Sequence, residues 1–561
     1  MGRTARLLPA LLGLVALAGC TNAPPPPLVT TPVASTTPSR RVNPGEVVVG
    51  VDSVTGGLNP HKVSDQSAVT TALATLLLPS VFRPAPDGTA RLDTTLMVSA
   101  EVTSADPYTV TYQIRPEASW ADNAPIAAED FVYLRDQLRS APGAIGAAGY
   151  QLISNIAARE AGKIVEVTFA KPYPGWRSLF TGLVPAHLLK DVPGGWANAL
   201  KDGYPTSGGP FAVKTLDRDR GEIVLERNDR YWERPAALDR IILRRGDPAA
   251  VADALRAGHE QLALLQADAA GATMLTALGT GVSVHAVARS TVAALILRPL
   301  GPDLAAEGVR RALVALLDRE PLIAIGTGNG PASRLRADAE VLAPAVPGYT
   351  PTVPAGPPVK PNRDLAAQLL TESGYAKVSG AWTRAGRALT LVIAAPAERQ
   401  PYVAMAYEVQ RQLAVEGVAS KVITAPADVL ITSQLTAAPS TEETINLVLA
   451  PQPAGGDPAT AMATNFGCVN RSDGSAPAPL SPTGSCDPAI QPTIDAALTG
   501  AVSLADALST VEPALWRQAV SVPLYQEADT LAVRAEMSGV TPGPPLAGPF
   551  PGAPEWRRTP N

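Results

Sequence analysis

Cysteine supplies the most distinctive chemistry in this 561-residue chain. Cys20 closes the segment Leu17-Ala18-Gly19-Cys20 after an apolar run that starts at Leu7 and is preceded by Arg3 and Arg6. A basic start, a short apolar stretch and small residues before the cut make an export leader, and that stretch is too short to span a bilayer. Cysteine in this frame is a lipid acceptor, so residues 1–19 are expected to be removed and a lipidated Cys20 to hold the protein on the outer face of the plasma membrane. Cys468 and Cys486 are left as an even pair in an oxidising compartment. A disulfide closing a loop of that length would add about 3 kcal/mol in the chain-entropy account.

Catalytic spacings are broken wherever they begin. His259-Glu260 opens like the zinc-hydrolase pair, but Ala263 stands where the second histidine must be, so one helix face cannot hold the metal. Gly326-Thr327-Gly328 continues to Gly330-Pro331 with the wrong spacing for a dinucleotide turn, and there is no Gly-x-Ser-x-Gly elbow. The four histidines, His61, His187, His259 and His285, lie far apart, whereas metal or haem would want a cluster. Neither catalysis nor a cofactor is expected.

The chain is long enough for two or three folding units. Its formal charge of −5 becomes more negative once Arg3 and Arg6 are removed, and no basic block remains, which argues against nucleic acid as a partner. After Cys20, four consecutive prolines from Pro24, then Pro32, Pro38 and Pro44 among Thr and Ser, describe an extended tether over residues 20–45, rising about 3 Å per residue. Order is expected from Glu46, where Glu46-Val47-Val48-Val49-Gly50-Val51 has the β-branched density of a buried strand. Tyr108 to Ile114 and Val165 to Phe169 alternate as half-buried strands. Between them Phe131, Leu134 and Leu138 make the apolar stripe of a helix whose first turn holds Glu129 and Asp130, acids suited to its positive end. Val309, Ala312, Leu313, Leu316 and Leu317 predict a second amphipathic helix, with Arg310 and Arg311 on a solvated face. A third starts at an Asn362 cap and stops at Gly374. The fold class is mixed α/β.

Four separated stretches carry a resemblance. They are Gly57-Leu58-Asn59-Pro60-His61; Tyr112-Gln113-Ile114-Arg115-Pro116 through Ser119-Trp120-Ala121-Asp122 to Ala128-Glu129-Asp130-Phe131; Ser207-Gly208-Gly209-Pro210-Phe211 with Asn228-Asp229-Arg230-Tyr231-Trp232; and Val309 to Glu320, joined later by Leu365 to Tyr375, Trp516 and Pro523-Leu524-Tyr525. In this order they resemble the extracellular solute-binding proteins of family 5, the peptide- and nickel-binding proteins of ABC importers. Read physically, most of these motifs are structural. Gly208-Gly209 suits a turn at positive φ, and Tyr231 with Trp232 suits sealing a core.

The resemblance implies a two-lobed clamp of the periplasmic-binding-protein type II kind, with an extra subdomain in the first lobe. Lobe one would comprise residues 46–265 and 492–561, with the subdomain at about 75–200; lobe two would comprise residues 266–491. Two strands crossing between the lobes would act as a hinge. The ligand, an oligopeptide or similar small molecule delivered to an ABC permease, would lie between the lobes, and the protein would be a monomer. In peptide-binding relatives an aspartate of lobe two anchors the ligand's amine. Here Asp457 fits the later part of that segment, while residues 451–454 hold no acid, and Asp457 equally suits a turn before Pro458. His61, Ser64, Asp65 and Gln66 follow the opening strand in a loop that faces the cleft in similar proteins. The chain also resembles a mycobacterial lipoprotein branch of the same family, which shares the proline tether and the degraded amine site. That branch implies an alternative: a non-transport protein that binds an envelope glycolipid headgroup or an envelope-synthesis protein and regulates mannosylated inositol-lipid synthesis.

Overall fold

The computed structural model describes residues 45–54, 56–437, 444–469 and 477–559. The leader, Cys20 and the tether up to residue 44 lie outside the described residues. Ten strands form one mixed sheet: β1 (Glu46–Val51), β2 (Phe211–Asp217), β3 (Glu222–Arg227), β4 (Arg240–Arg245), β5 (Leu262–Leu265), β6 (Val282–Leu297), β7 (Thr390–Pro396), β8 (Ala419–Ala425), β9 (Leu447–Pro453) and β10 (Ser521–Arg534). Their order across the sheet is β8-β7-β9-β6-β10-β5-β1-β4-β3-β2.

The opening strand shows why valine dominates it. β1 runs parallel to both β4 and β5 and is covered on both faces, leaving Val47 to Val51 buried. Gly50 leaves room for Glu260, whose Oε2 would lie 2.4 Å from a Cβ at that position. Glu260 is buried and its Oε2 has no hydrogen-bond partner. Burial lifts its carboxyl to about 7 against the pull of Arg244. Between pH 4.5 and about 7 the unfolded chain therefore releases this proton before the folded one, and stability falls as pH rises through that window. Glu260→Gln is expected to remove that loss, so urea denaturation should find the variant more stable than the parent at pH 8, with the advantage gone at pH 4.

β6 and β10 are the long strands, of 16 and 14 residues. They pair antiparallel almost end to end, with register shifts between Ala288 and Val292 and between Ala293 and Ala294. Beyond the shifts β6 passes to β9, while the other end of β10 pairs with β5. Each strand thus belongs to both halves of the sheet. The first half packs against α1 (Ala68–Leu77), with α2 (Ala128–Leu138) joining the same apolar core, and the second half packs against α3 (Glu307–Leu316), α4 (Arg363–Glu372) and α5 (Gln400–Val415). At the crossing the buried residues are polar. Arg289 grips Asp529 with two nitrogens, Nε donating to Oδ2 at 2.8 Å, and Asp52 lies 3.8 Å away. Thr291 and Tyr402 donate to the two oxygens of Glu527 at 2.6 and 2.9 Å.

A separate four-stranded sheet contains the expected strands Tyr108–Ile114 and Ile164–Phe169, and α2 lies where its stripe predicts. Asp130 does more than complement a dipole: its carboxylate accepts from Ala127 N, Ala186 N and the Trp120 indole. Asn362 caps α4 as predicted, accepting from Leu365 N at 3.0 Å. Trp232 packs at the edge of the first core and donates to Thr95 O at 2.7 Å.

Two structural expectations need correction. Gly208 and Gly209 are absent from the positive-φ glycines; they are small because neighbours press on them, Pro79 and Ile126 on Gly208 and the end of α1 on Gly209, where a Cβ would lie 2.2 Å from Leu76 O. Arg310 is not solvated: it is 5% exposed and donates to the carbonyls of Gln518, Leu304 and Ala305, tying α3 to the chain before β10. Arg311 does face outward, 3.7 Å from Glu307. Cys468 and Cys486 form a disulfide, with Cα atoms 4.9 Å apart.

Candidate ligand cleft

A cavity of about 640 Å³ opens between the N-terminal segments and those after Ser290, within the usual range for a small-molecule site. The loop after β1 is organised by its own polar groups. Asn59 Oδ1 accepts from His61 N at 3.0 Å, and Asp65 Oδ2 accepts from Asn59 N at 3.0 Å. Ser64 Oγ donates to Asp65 Oδ1 at 2.5 Å, and Gln66 Nε2 donates to Pro60 O at 2.8 Å. His61 and Gln66 line the cavity, while Ser64 and Asp65 are buried and spend these polar atoms within the loop. From the other half Arg399 donates to Ser64 O and Gln66 O at 3.2 and 2.6 Å, holding the loop from behind.

His61 Nε2 donates to Gly182 O at 2.8 Å. Burial drives its pKa down to about 4, opposed by that carbonyl, so the ring is neutral at physiological pH. It offers a ligand hydrogen bonding rather than positive charge. The carbonyl comes from a tight turn, residues 178–182, in which Phe180 and Gly182 have φ of 56° and 63°. Leu179, Thr181 and Gly182 line the cavity there, and Tyr150 accepts the Phe180 N–H at 2.8 Å.

The opposite wall is α6 (Pro458–Phe466). Asp457 caps it, Oδ2 accepting from Thr460 N at 2.8 Å and Thr460 Oγ1 at 2.7 Å. Asp457 thus ends a turn before proline, and it also lines the cavity. Thr460 and Thr464, one helical turn apart, follow it along the wall. Thr460 shares a 2.6 Å hydrogen bond with the Tyr173 hydroxyl, and Thr464 Oγ1 accepts from Ala148 N at 3.3 Å. These bonds join α6 to the segments flanking the strained turn. Asp457-Pro458-Ala459-Thr460 is the spacing of a helix cap, so this wall was readable as a helix start.

The cationic side chains on the cavity were not read from sequence. Arg83 is neutralised by Asp93 at 2.5 Å. Arg177 lies 4.4 Å over the Trp176 ring, with no carboxylate partner among the described residues. Phe82, Pro84, Val346, Pro347 and Leu546 supply an apolar share of the lining. No group of three His, Cys, Asp or Glu among the described residues stands where it would hold a metal ion, and no described helix is long and apolar enough to cross a membrane.

A mixed sheet whose two halves share crossing strands, with a ligand cleft between them, is the two-lobed clamp of type II periplasmic binding proteins. Solved structures agree: the periplasmic EDTA-binding protein EppA superposes with a TM-score of 0.72 at 24% identity, covering 92% of this chain and 97% of its own. The oligopeptide-binding protein AppA of Bacillus subtilis, solved with a nonapeptide, gives 0.69 at 17% identity, covering 92% and 99%.

Residues 94–473 match the bacterial extracellular solute-binding proteins, family 5, and the chain belongs to that family. It is 35% identical to the probable monoacyl phosphatidylinositol tetramannoside-binding protein LpqW of Mycobacterium tuberculosis, across 94% of each chain. It is 32% identical to the oligopeptide-binding protein OppA of Mycobacterium bovis, across 39% of this chain and 38% of that one.

Proposed function

We propose that this protein is a lipid-anchored, extracytoplasmic binding protein whose cleft takes the mannosylated inositol headgroup of an envelope glycolipid, and that it works by binding, without chemistry. The observation that carries this reading is the similarity to LpqW across 94% of both chains, where similarity to OppA extends over 39% of this one. The cleft is compatible with it. A neutral imidazole and the exposed hydroxyl of Thr181 suit sugar hydroxyls, and residues 451–454 lack the acid that would hold a peptide's amine.

In this reading lobe one is residues 46–265 with 492–561, lobe two is residues 266–491, and β6 with β10 forms the hinge between them. His61 and Gln66 meet the ligand from lobe one and Asp457 from lobe two, while Ser64 and Asp65 hold the loop in shape. Cys20 carries the lipid anchor. The protein acts as a monomer, and its partner is an envelope-synthesis protein. An importer receptor for peptides, feeding an ABC permease, is the rival.

Thermal unfolding of the full mature protein separates the two. Monoacyl phosphatidylinositol tetramannoside at 100 times its dissociation constant is expected to add about 2.7 kcal/mol of stability, and a panel of two- to five-residue peptides none. Stabilisation by peptides alone, abolished by Asp457→Ala, would replace this reading with the importer one.

A further inference from the structure

The C-terminal loop reaches the cleft from outside both lobe cores. Its base is closed by a two-residue ladder, Met537 opposite Arg558 and Ser538 opposite Arg557. Phe550 and Trp556, 2% and 0% exposed, anchor it in the first core. Between base and anchor, residues 543–549 run over the cavity, and Pro545, Leu546 and Ala547 line it. Leu546 also lines a small adjoining cavity beside Leu264, Val287 and Phe550.

Leu546 stands in the left-handed region at φ 64°, a conformation that is unfavourable for a residue with a Cβ. Glycine occupies that region on either side, at Gly543 and Gly548. Gly543 has no alternative, since a Cβ there would lie 1.7 Å from Gly548 O. At 546 the loop carries a large apolar side chain in spite of the strain, and strain of this kind gathers where a ligand is held. The surroundings are mostly apolar, with Arg83 of the neighbouring hairpin neutralised by Asp93. Pro545 lies 3.7 Å from where a Cβ on Gly88 would be, at the turn of the Phe82–Pro84 and Ala90–Leu92 hairpin, and Phe82, Pro84 and Ala90 from that hairpin line the cavity. The hydroxyl-bearing α6, by contrast, is fastened to Tyr173 and Ala148.

We infer that residues 545–547, with the Phe82–Pro84 hairpin, form an acyl-binding wall of the cleft, and that Leu546 sets its preference for a ligand with a hydrocarbon chain. The site then takes an amphiphile, with its polar head against α6 and His61 and the first part of its chain against Leu546. This rests on the reading of the cleft as a glycolipid site.

Titration calorimetry on the full mature protein in nanodiscs tests it with three probes: a monodecanoyl phosphatidylinositol mannoside, its deacylated headgroup, and decanoyl lysophosphatidylcholine, which has the chain without inositol or mannose. The parent is expected to bind the monodecanoyl form more tightly than the bare headgroup. Leu546→Gly and Leu546→Asn, both at ease at positive φ, are expected to weaken the two chain-bearing probes about tenfold and to leave the headgroup and the melting temperature unchanged or the latter raised. Equal binding of acylated and deacylated forms by the parent overturns the acyl wall and leaves the glycolipid reading standing. Equal binding of both chain-bearing probes, with none of the headgroup, supports the acyl wall and overturns the glycolipid reading. Loss of all three probes alike in both variants, or binding of no probe by the parent, overturns the inference.

Discussion

Arg289→Met is expected to cost about 3–5 kcal/mol of folding stability, because it strips a buried carboxylate of its partner without removing the carboxylate. Asp529 is 3% exposed and sits in the middle of β10, with Asp52 and Glu527 adding negative charge nearby. Burial already lifts its carboxyl above the ordinary range, and Arg289 is the main group pulling it back. With the guanidinium gone, folding at neutral pH requires Asp529 to take up a proton or remain buried as an unpaired anion. The sign follows from the raised folded pKa: the loss is greatest at neutral and alkaline pH and shrinks as pH falls toward the unfolded value near 3.8. Urea denaturation at pH 5 and pH 8 should show that difference. Arg289→Met with Asp529→Asn should recover much of the loss, since the uncompensated charge disappears. If the single variant is as stable as the parent, the pair is an ornament of the crossing strands and not a constraint on them.

Phe180→Ala is expected to cost a similar 3–5 kcal/mol, the usual range for emptying a fully buried aromatic site. Phe180 is completely buried, with ring centroids 4.6 Å from Phe131, 5.4 Å from Tyr112 and 5.7 Å from Tyr150. Its φ of 56° makes the substitution informative. At an ordinary position alanine is better tolerated than glycine, but here alanine keeps the left-handed strain while losing the packing that offsets it. Phe180→Gly should therefore be about 1 kcal/mol more stable than Phe180→Ala. That inversion, read from denaturation midpoints, would show that aromatic packing forces the turn. The turn matters to the cleft because it delivers Gly182 O to His61 and sets Leu179 and Thr181 in the lining. Both variants should weaken ligand binding as well as folding.

Local order was legible where one segment decides its own state. The valines of β1, the Asn362 cap and the stripe of α2 each state a preference that the fold keeps. The clamp architecture was legible through the order of its motifs. The crossing of β6 and β10 was not, because the residues that mark it look like loop. Arg289, Glu527 and Asp529 interrupt an apolar strand pattern, and only distant partners, Asp529 for Arg289 and Thr291 with Tyr402 for Glu527, explain them. Arg310 misled for the same reason: an arginine beside an arginine looks solvated until distant carbonyls arrive. The cleft was half legible. His61, Gln66 and Asp457 follow from chain position, while Arg177 and Leu546 carry no local signal and reach the cavity only through tertiary packing.

The place of β10 in the sheet bears on how the chain reaches this structure. Without it, the other nine strands fall into two unjoined groups, β8-β7-β9-β6 and β5-β1-β4-β3-β2. The strand that unites them is the last of the ten in sequence, beginning at Ser521. A chain emerging from its N-terminus holds two incomplete sheets with open edges until β10 follows. Joining of the two halves is thus deferred until every other strand of the sheet has been made.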